Sequence, residues 1–197
     1  MKKIMFNDRC GLTQAVLEGR KTQTRRIAYM PNGFIIFDDK DFQLKKLDNG
    51  QALLTLCNNE FETAHYKIGE EVAIAQRYSD IADTHGQELA QLPGWNNKMF
   101  VKADLMPHRI RITNIRVERL QDISEEDCME EGIVRFGKEY VRFKKEYCYT
   151  CQNYAMTDFY SFSTPREAYA ALIDKISGKG TWENNPWVFV YDFELVK

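Results

Sequence analysis

Apolar and polar positions change period several times along the chain, and each change marks an element. Leu12, Ala15, Val16 and Leu17 share a face at helical spacing, Asn7 or Asp8 stands where a cap belongs, and Gly19 supplies the left-handed residue that stops a helix. One helix ending at Gly19 is the prediction. From Gly33 to Asn59 the apolar runs Phe34 to Phe37 and Ala52 to Leu56 are separated by Asp38-Asp39 and Asp48-Asn49-Gly50, which reads as a β-meander turning at Asn49-Gly50. Val72 to Gln76, after Gly69, reads as another strand. Between Arg109 and Leu120 the apolar positions are Ile110 and Ile112, then Ile115 and Val117, so the alternation slips once near Thr113-Asn114. A β-bulge there restores a single buried face.

Ser124 is placed to cap a short helix that Gly132 ends, with Asp127 at the capping-box position. Thr164-Pro165-Arg166-Glu167 combines cap, N1 proline and N3 glutamate, and Ala168, Tyr169, Leu172 and Ile176 follow on one face. Near the end Trp187, Phe189, Tyr191, Phe193 and Leu195 alternate with Val188, Val190, Asp192 and Glu194, the pattern of a strand. Many strands of changing phase and few helices predict an α+β fold built on a closed or nearly closed barrel with helices on its rim.

The 197 residues suit one domain over 1–197, with insertions near 30–60, 79–100 and 135–163 that lack clean periodicity. Hydrophobic residues make up 44% and charged residues 28%, and no apolar run reaches the roughly 18 residues of a membrane span. MKKIMFNDRC has no apolar stretch after its lysines, so no secretory signal and a cytoplasmic location are expected, with no membrane partner. A net charge of −2 excludes a protein that coats nucleic acid through bulk charge; such binding must come from a local patch. Cys148 and Cys151 form a C-x-x-C pair without a second pair at ligand spacing, and His65, His85 and His108 have no mutual ligand spacing. Neither metal nor cofactor is expected, and the cysteines read as reduced thiols.

The local patch is Arg20-Lys21-Thr22-Gln23-Thr24-Arg25-Arg26, four bases and two hydroxyls with no acid among them, directly after Gly19. It offers Arg20, Lys21, Arg25 and Arg26 as contacts for an anionic or nucleotide-like ligand; the bland reading is a solvated basic turn. Lys21 and Thr24 share a face if helix continues for one more turn and oppose each other if the chain is extended. Glu125, Glu126 and Asp127 suit the positive end of their helix, but Glu130 and Glu131 oppose its negative end at a cost of about 0.3–1 kcal/mol each. Helix stability does not explain them. The aromatic alternation near the end reads as core for every ring except Trp182.

Gly19-Arg20-Lys21-Thr22-Gln23-Thr24-Arg25-Arg26, Tyr66-Lys67-Ile68-Gly69-Glu70, Arg116-Val117-Glu118-Arg119-Leu120-Gln121-Asp122-Ile123-Ser124-Glu125-Glu126-Asp127, Glu131-Gly132, Trp182 and Asn185-Pro186-Trp187-Val188-Phe189-Val190, in that order, resemble the ASCH (activating signal cointegrator homology) domain. The likeness is to the larger ASCH proteins of bacteria and their phages, and the insertions lie outside it. The resemblance implies a PUA-like mixed β-barrel and a role with RNA or a modified nucleoside, since relatives of this fold bind RNA and small bacterial members hydrolyse the acetyl amide of N4-acetylcytidine. In those hydrolases a lysine and a threonine of a GxKxxT motif act with a glutamate. Gly19, Lys21 and Thr24 match the motif, and Glu131 aligns with the glutamate. Gln76 departs from the acid usual in larger relatives at the end of the strand after the glycine turn, which puts chemistry relying on that acid in doubt. The leading expectation is a module that binds single-stranded RNA or a nucleoside in a cleft beside Gly19 to Arg26. The alternative is an amidohydrolase of an N4-acylated cytidine using Lys21, Thr24 and Glu131. A third reading, a protein-interaction module of phage or prophage origin, gains if the Arg20 to Arg26 side chains are held in internal ion pairs.

Overall fold

The computed structural model describes residues 1–29, 43–56, 59–82, 87–137, 147–151 and 161–196. Strand β1 (Lys2–Ile4) leads through a 3-10 turn (Asp8–Cys10) to helix α1 (Leu12–Leu17) and strand β2 (Gln23–Ile27). Strands β3 (Gln43–Lys46), β4 (Ala52–Leu56) and β5 (Asn59–Thr63) come next, then β6 (Glu71–Ile74) and the long β7 (Arg109–Arg119). Helix α2 (Glu125–Glu130), strands β8 (Ile133–Gly137) and β9 (Tyr147–Cys151), helices α3 (Pro165–Ser177) and α4 (Thr181–Asn184) and strand β10 (Trp187–Val196) complete the chain.

The fold is α+β. Its main sheet has the order β1-β6-β7-β10-β2, with β1 parallel to β6 and the other neighbours antiparallel. This sheet is open at β1 and β2, and no ladder joins those edges among the described residues. The closed barrel expected from strand phase does not form. The chain between the edges is spent on the 3-10 turn and α1, whose Leu12 and Val16 enter the core where closure would need ladder bonds. Arg26 nevertheless bridges the gap, donating from Nη2 to the Met5 carbonyl at 2.9 Å.

The first helix is also more broken than its apolar face suggests. Asn7 Oδ1 accepts from Cys10 N at 3.2 Å to cap the 3-10 turn, and Gly11, at φ 70°, separates that turn from α1. The meander is present as β3, β4 and β5, turning at Gly50, where φ is 79° and a Cβ would lie 2.5 Å from the Ile68 carbonyl oxygen. Phe34 to Phe37 lies outside the described residues, and the strand beside β4 is the polar segment Gln43–Lys46, which a search for apolar runs passes over.

The phase slip in β7 is a bulge. Asn114 faces Asp192 while Ile112 faces Phe193, which leaves Thr113 as the extra residue. Both predicted caps form: Ser124 Oγ accepts from Asp127 N at 3.0 Å, and Thr164 Oγ1 accepts from Glu167 N at 3.1 Å. Strand β10 buries Val188 and Val190 on one face and Phe189, Tyr191 and Phe193 on the other, so it is an interior strand with core on both faces. A smaller core of Ala73, Ala75, Tyr78, Ile81, Leu89, Val101 and Met106 lies beneath the short 3-10 turns of the insertion after β6. No described helix is long and apolar enough to cross a membrane.

Candidate functional site

Gly19, at φ 72°, ends α1 and lets the chain fold back across its own last turn, so that the amides of Arg20 and Lys21 both donate to Ala15 O, at 2.9 and 3.0 Å. Thr22 is then held from two sides: its amide donates to Glu130 O at 2.9 Å and its carbonyl accepts from Phe193 N at 2.8 Å. These bonds aim Lys21 inward and deliver the chain to β2. The one-turn helical continuation that would align Lys21 with Thr24 does not occur. Lys21 precedes β2 and Thr24 lies within it opposite Tyr191, yet both reach the same cavity because β2 is an edge strand.

Lys21 is 2% exposed. Its ammonium donates to Gln23 O at 2.7 Å, to Glu131 O at 2.9 Å and to Glu131 Oε2 at 2.5 Å, and it stands 5.7 Å from the centroid of the Phe6 ring. All three protons are therefore placed, and the Gln23 carbonyl on the free edge of β2 takes an ammonium instead of a strand neighbour. Burial depresses the Lys21 pKa, and the Glu131 charge offsets only part of that depression.

Glu131 is held from the other side by Arg25, whose Nη1 donates to Oε1 at 3.1 Å. The Arg25 side chain has no exposed surface, and it also donates to Glu118 Oε1 from Nε and Nη2, at 2.9 and 2.7 Å, and to Asp127 Oδ2 at 2.7 Å. Burial works against this guanidinium's charge, but Glu131 and Glu118 raise its pKa above the ordinary arginine value. Arg116 joins the network through Asp127 Oδ2 at 2.8 Å and Asp192 at 2.8 and 2.9 Å. Gln23 Nε2 reaches Glu130 Oε2 at 2.5 Å and Asp127 Oδ1 at 3.1 Å. Glu130 and Glu131, which oppose their own helix dipole, are thus the anchors that bind α2 to β2. Gly132 makes the approach feasible: its φ is 102°, and a Cβ there would meet Leu12 Cδ2 at 3.0 Å and Lys21 Cδ at 3.7 Å.

A cavity of about 450 Å³ opens along the edge of β2, between the Met5 to Asn7 segment and α3. Lys21, Thr24, Arg25, Arg26 and Glu131 all border it, so the expected catalytic residues and three of the four expected cationic contacts come together. The Thr24 hydroxyl has no hydrogen-bond partner among the described residues. Phe6, Leu12, Leu172, Ile173 and Ile176 add apolar side chains to its lining. Ile176, on the apolar face of α3, is 40% exposed because that face runs past the core to the cavity rim.

The four bases part company here. Arg20 turns to Glu18 Oε2, at 2.8 Å from Nε and 2.5 Å from Nη2, and does not line the cavity. Arg25 is consumed by its three carboxylates. Arg26 is exposed at the mouth and pairs with no carboxylate among the described residues. Gln76 does not line the cavity; its backbone N–H donates to Met106 Sδ at 3.3 Å beside the smaller core. Trp182 packs edge-on to Tyr169, ring centroids 6.2 Å apart at 79°, with Arg166 over its face, so it too is a packing residue.

Glu118, Asp127 and Tyr169 escaped the sequence reading as site residues. Asp127 carried a signal for a cap only, while its carboxylate goes to Arg25, Arg116 and Gln23. Burial works to raise its pKa, but those hydrogen bonds hold it below the ordinary carboxylate value. Tyr169 also borders the cavity, and its buried hydroxyl has no hydrogen-bond partner among the described residues. Cys148 and Cys151 are free and buried, and a spacing of three on β9 puts them on opposite faces of that strand. No three His, Cys, Asp or Glu side chains gather as a metal site among the described residues. No family model matches the chain, and neither a curated protein nor a solved structure matches it.

Proposed function

We propose that the cavity receives a single nucleoside-sized ligand, either a modified nucleoside or one base of a single-stranded RNA. The observation that carries this reading is the cavity itself. Its volume of about 450 Å³ falls within the roughly 300–1,000 Å³ usual for small-molecule sites, with apolar side chains and a few polar groups in its lining. A long phosphate track needs several free cations, whereas among the described residues of the basic cluster Arg20, Lys21 and Arg25 are paired with carboxylates and Arg26, at the mouth, is not. The order and identity of the motifs, resembling the ASCH domain, point to the same ligand class. Internal pairing of two arginines also suits a protein-interaction surface, but that reading leaves the cavity without a role.

The contact between Lys21 and Glu131 at the cavity floor favours a second reading, hydrolysis of an acyl amide on the bound base. Thr24 attacks the amide carbonyl or positions the water that does, and Lys21 assists by taking the hydroxyl proton or stabilising the oxyanion. Glu131, protonated by transfer from the Lys21 ammonium, passes that proton to the nitrogen as the C–N bond breaks and the amine leaves; water supplies the carboxylic acid, either as the direct nucleophile or by hydrolysing the Thr24 ester. The lowered pKa of Lys21 brings its neutral form within closer reach, as a general base needs.

Titration with cytidine, N4-acetylcytidine and a short oligoribonucleotide at several salt concentrations tests the binding reading. Nucleoside binding with little salt dependence, and an RNA slope near 0.7 for the single phosphate at Arg26, are the expected results. Steep salt dependence with RNA and no nucleoside binding would contradict it. Chromatography of the N4-acetylcytidine samples tests hydrolysis: Lys21→Ala, Thr24→Ala and Glu131→Ala should each reduce turnover by orders of magnitude, with pairs costing little more than singles.

A further inference from the structure

The open edge of β2 brings main-chain polar groups to the cavity, and the ladder determines which ones. Thr22 O accepts from Phe193 N at 2.8 Å and Ala28 N donates to Trp187 O at 2.9 Å, so the main-chain groups of residues 22 and 28 point toward β10. Between them the register runs without a slip. Orientation alternates along an antiparallel pair, so Thr24 and Arg26 face β10 while Gln23, Arg25 and Ile27 face outward. The Lys21 ammonium agrees with this phase, donating to Gln23 O at 2.7 Å from the open side. No described residue bonds the main-chain N–H or C=O of Arg25 or Ile27.

This edge is accessible from the cavity. The Arg25 side chain has no exposed surface, yet the residue is 6% exposed, so its accessible part is main chain. Side chains of Thr24 and Arg26 leave β2 on one face and those of Arg25 and Ile27 on the other. One cavity bordered by all four therefore runs along the edge between the two faces. The vacant stretch is short: Lys21 closes it at Gln23, which leaves Arg25 and Ile27, about 7 Å of strand at roughly 3.3 Å per residue. An added peptide strand would find few bonds there. A single planar ring spans it.

On the nucleoside-sized reading, on which this rests, we infer that the main chain of β2 reads the edge of the bound base. Arg25 C=O accepts from an amino group of the base, and Ile27 N–H donates to the ring nitrogen beside that group. One residue of a parallel neighbour would use the same two atoms, bridging the carbonyl of one residue and the amide two residues on. The site thus selects a base edge with a donor next to an acceptor. A base without the donor leaves the Arg25 carbonyl unpaired after water has been driven out.

The test uses the wild-type chain. Amide hydrogen exchange of the 15N-labelled, unliganded protein comes first, and Arg25 and Ile27 should exchange at least roughly tenfold faster than Thr24 and Arg26. Titration calorimetry then compares cytidine and adenosine with the analogues that carry hydrogen in place of the amino group, pyrimidin-2-one riboside and purine riboside. At least one amino nucleoside should bind roughly tenfold tighter than its analogue, and at saturation it should slow the exchange of Ile27 by about tenfold or more while Thr24 stays unchanged. Equal protection of all four amides in the free protein overturns the inference, because the edge is then already paired. Protection of Arg25 and Ile27 that rises with protein concentration also overturns it, by assigning the edge to strand pairing between copies. Equal affinity within both pairs, or a bound nucleoside that leaves Ile27 exchange unchanged, overturns it while the nucleoside reading stands. No binding of any of the four at millimolar concentration overturns the nucleoside reading and this inference with it.

Discussion

Replacing Glu131 with glutamine preserves the shape of the side chain and removes the charge that neutralises Lys21. The ammonium is 2% exposed and so cannot recover hydration without opening the site. Removing one partner of a buried ion pair costs about 3–5 kcal/mol. The lower end applies here, because the Gln23 and Glu131 carbonyls still accept from the ammonium at 2.7 and 2.9 Å and the new amide oxygen can take the third proton. For a chain of this size a loss of about 3 kcal/mol lowers the melting temperature by roughly 6–12 °C. Lys21→Met should cost less, about 1–2 kcal/mol, since Glu131 keeps Arg25 Nη1 at 3.1 Å. The double variant should be no less stable than Glu131→Gln alone, giving a coupling of at least about 1 kcal/mol. Urea unfolding of the four proteins at neutral pH, followed by circular dichroism, measures all these values. Additive losses, or a Glu131→Gln cost below about 1 kcal/mol, would refute the claim that this pair is buried and mutually dependent.

Other perturbations separate the roles of neighbouring residues. Arg26→Ala should leave unfolding unchanged and reduce the salt slope of RNA binding by about 0.7, whereas Arg25→Ala should destabilise the fold by stranding Glu118, Asp127 and Glu131; equal stability of the two variants in urea would contradict this division. Gly132→Ala places a Cβ 3.0 Å from Leu12 Cδ2 at a φ of 102°, so it should lower the melting temperature by several degrees in a thermal melt, and an unchanged melting temperature would contradict the close approach. Asp127 has a folded pKa depressed below its ordinary value near 3.8, so its stabilisation is present above that pH and is lost as pH falls through the depressed value. Asp127→Asn should therefore flatten the acid limb of stability against pH below about 4, and an unchanged limb would assign acid unfolding to other carboxylates.

Local signals in the sequence located several elements well. The slip between Ile112 and Ile115 is the bulge at Thr113, and the caps at Ser124 and Thr164 form, because each depends on residues within one or two turns. What local patterns could not reach was set by contacts distant in sequence. Four bases without an acid between residues 20 and 26 suggest a free cationic patch, yet the acids that bind Lys21 and Arg25 come from positions 118, 127 and 131. The one clue was energetic: Glu130 and Glu131 oppose their helix dipole, and the structure accounts for them through Gln23, Lys21 and Arg25. Strand phase revealed buried faces but not the order of pairing, so a barrel and an open sheet with a helix between its edges looked alike. Tyr169 was legible as a core position on α3, but the lack of a partner for its hydroxyl depends on every element around it.

The most direct test of the cavity as a nucleoside-sized site is amide chemical-shift mapping of the 15N-labelled protein during titration with N4-acetylcytidine. Shifts confined to Lys21, the Thr24 to Ile27 stretch of β2, Glu131 and the Tyr169 to Ser177 stretch of α3, saturating with one site, are the predicted result. Shifts centred on the β3–β5 meander or the insertion after β6, or none at millimolar ligand, would contradict it.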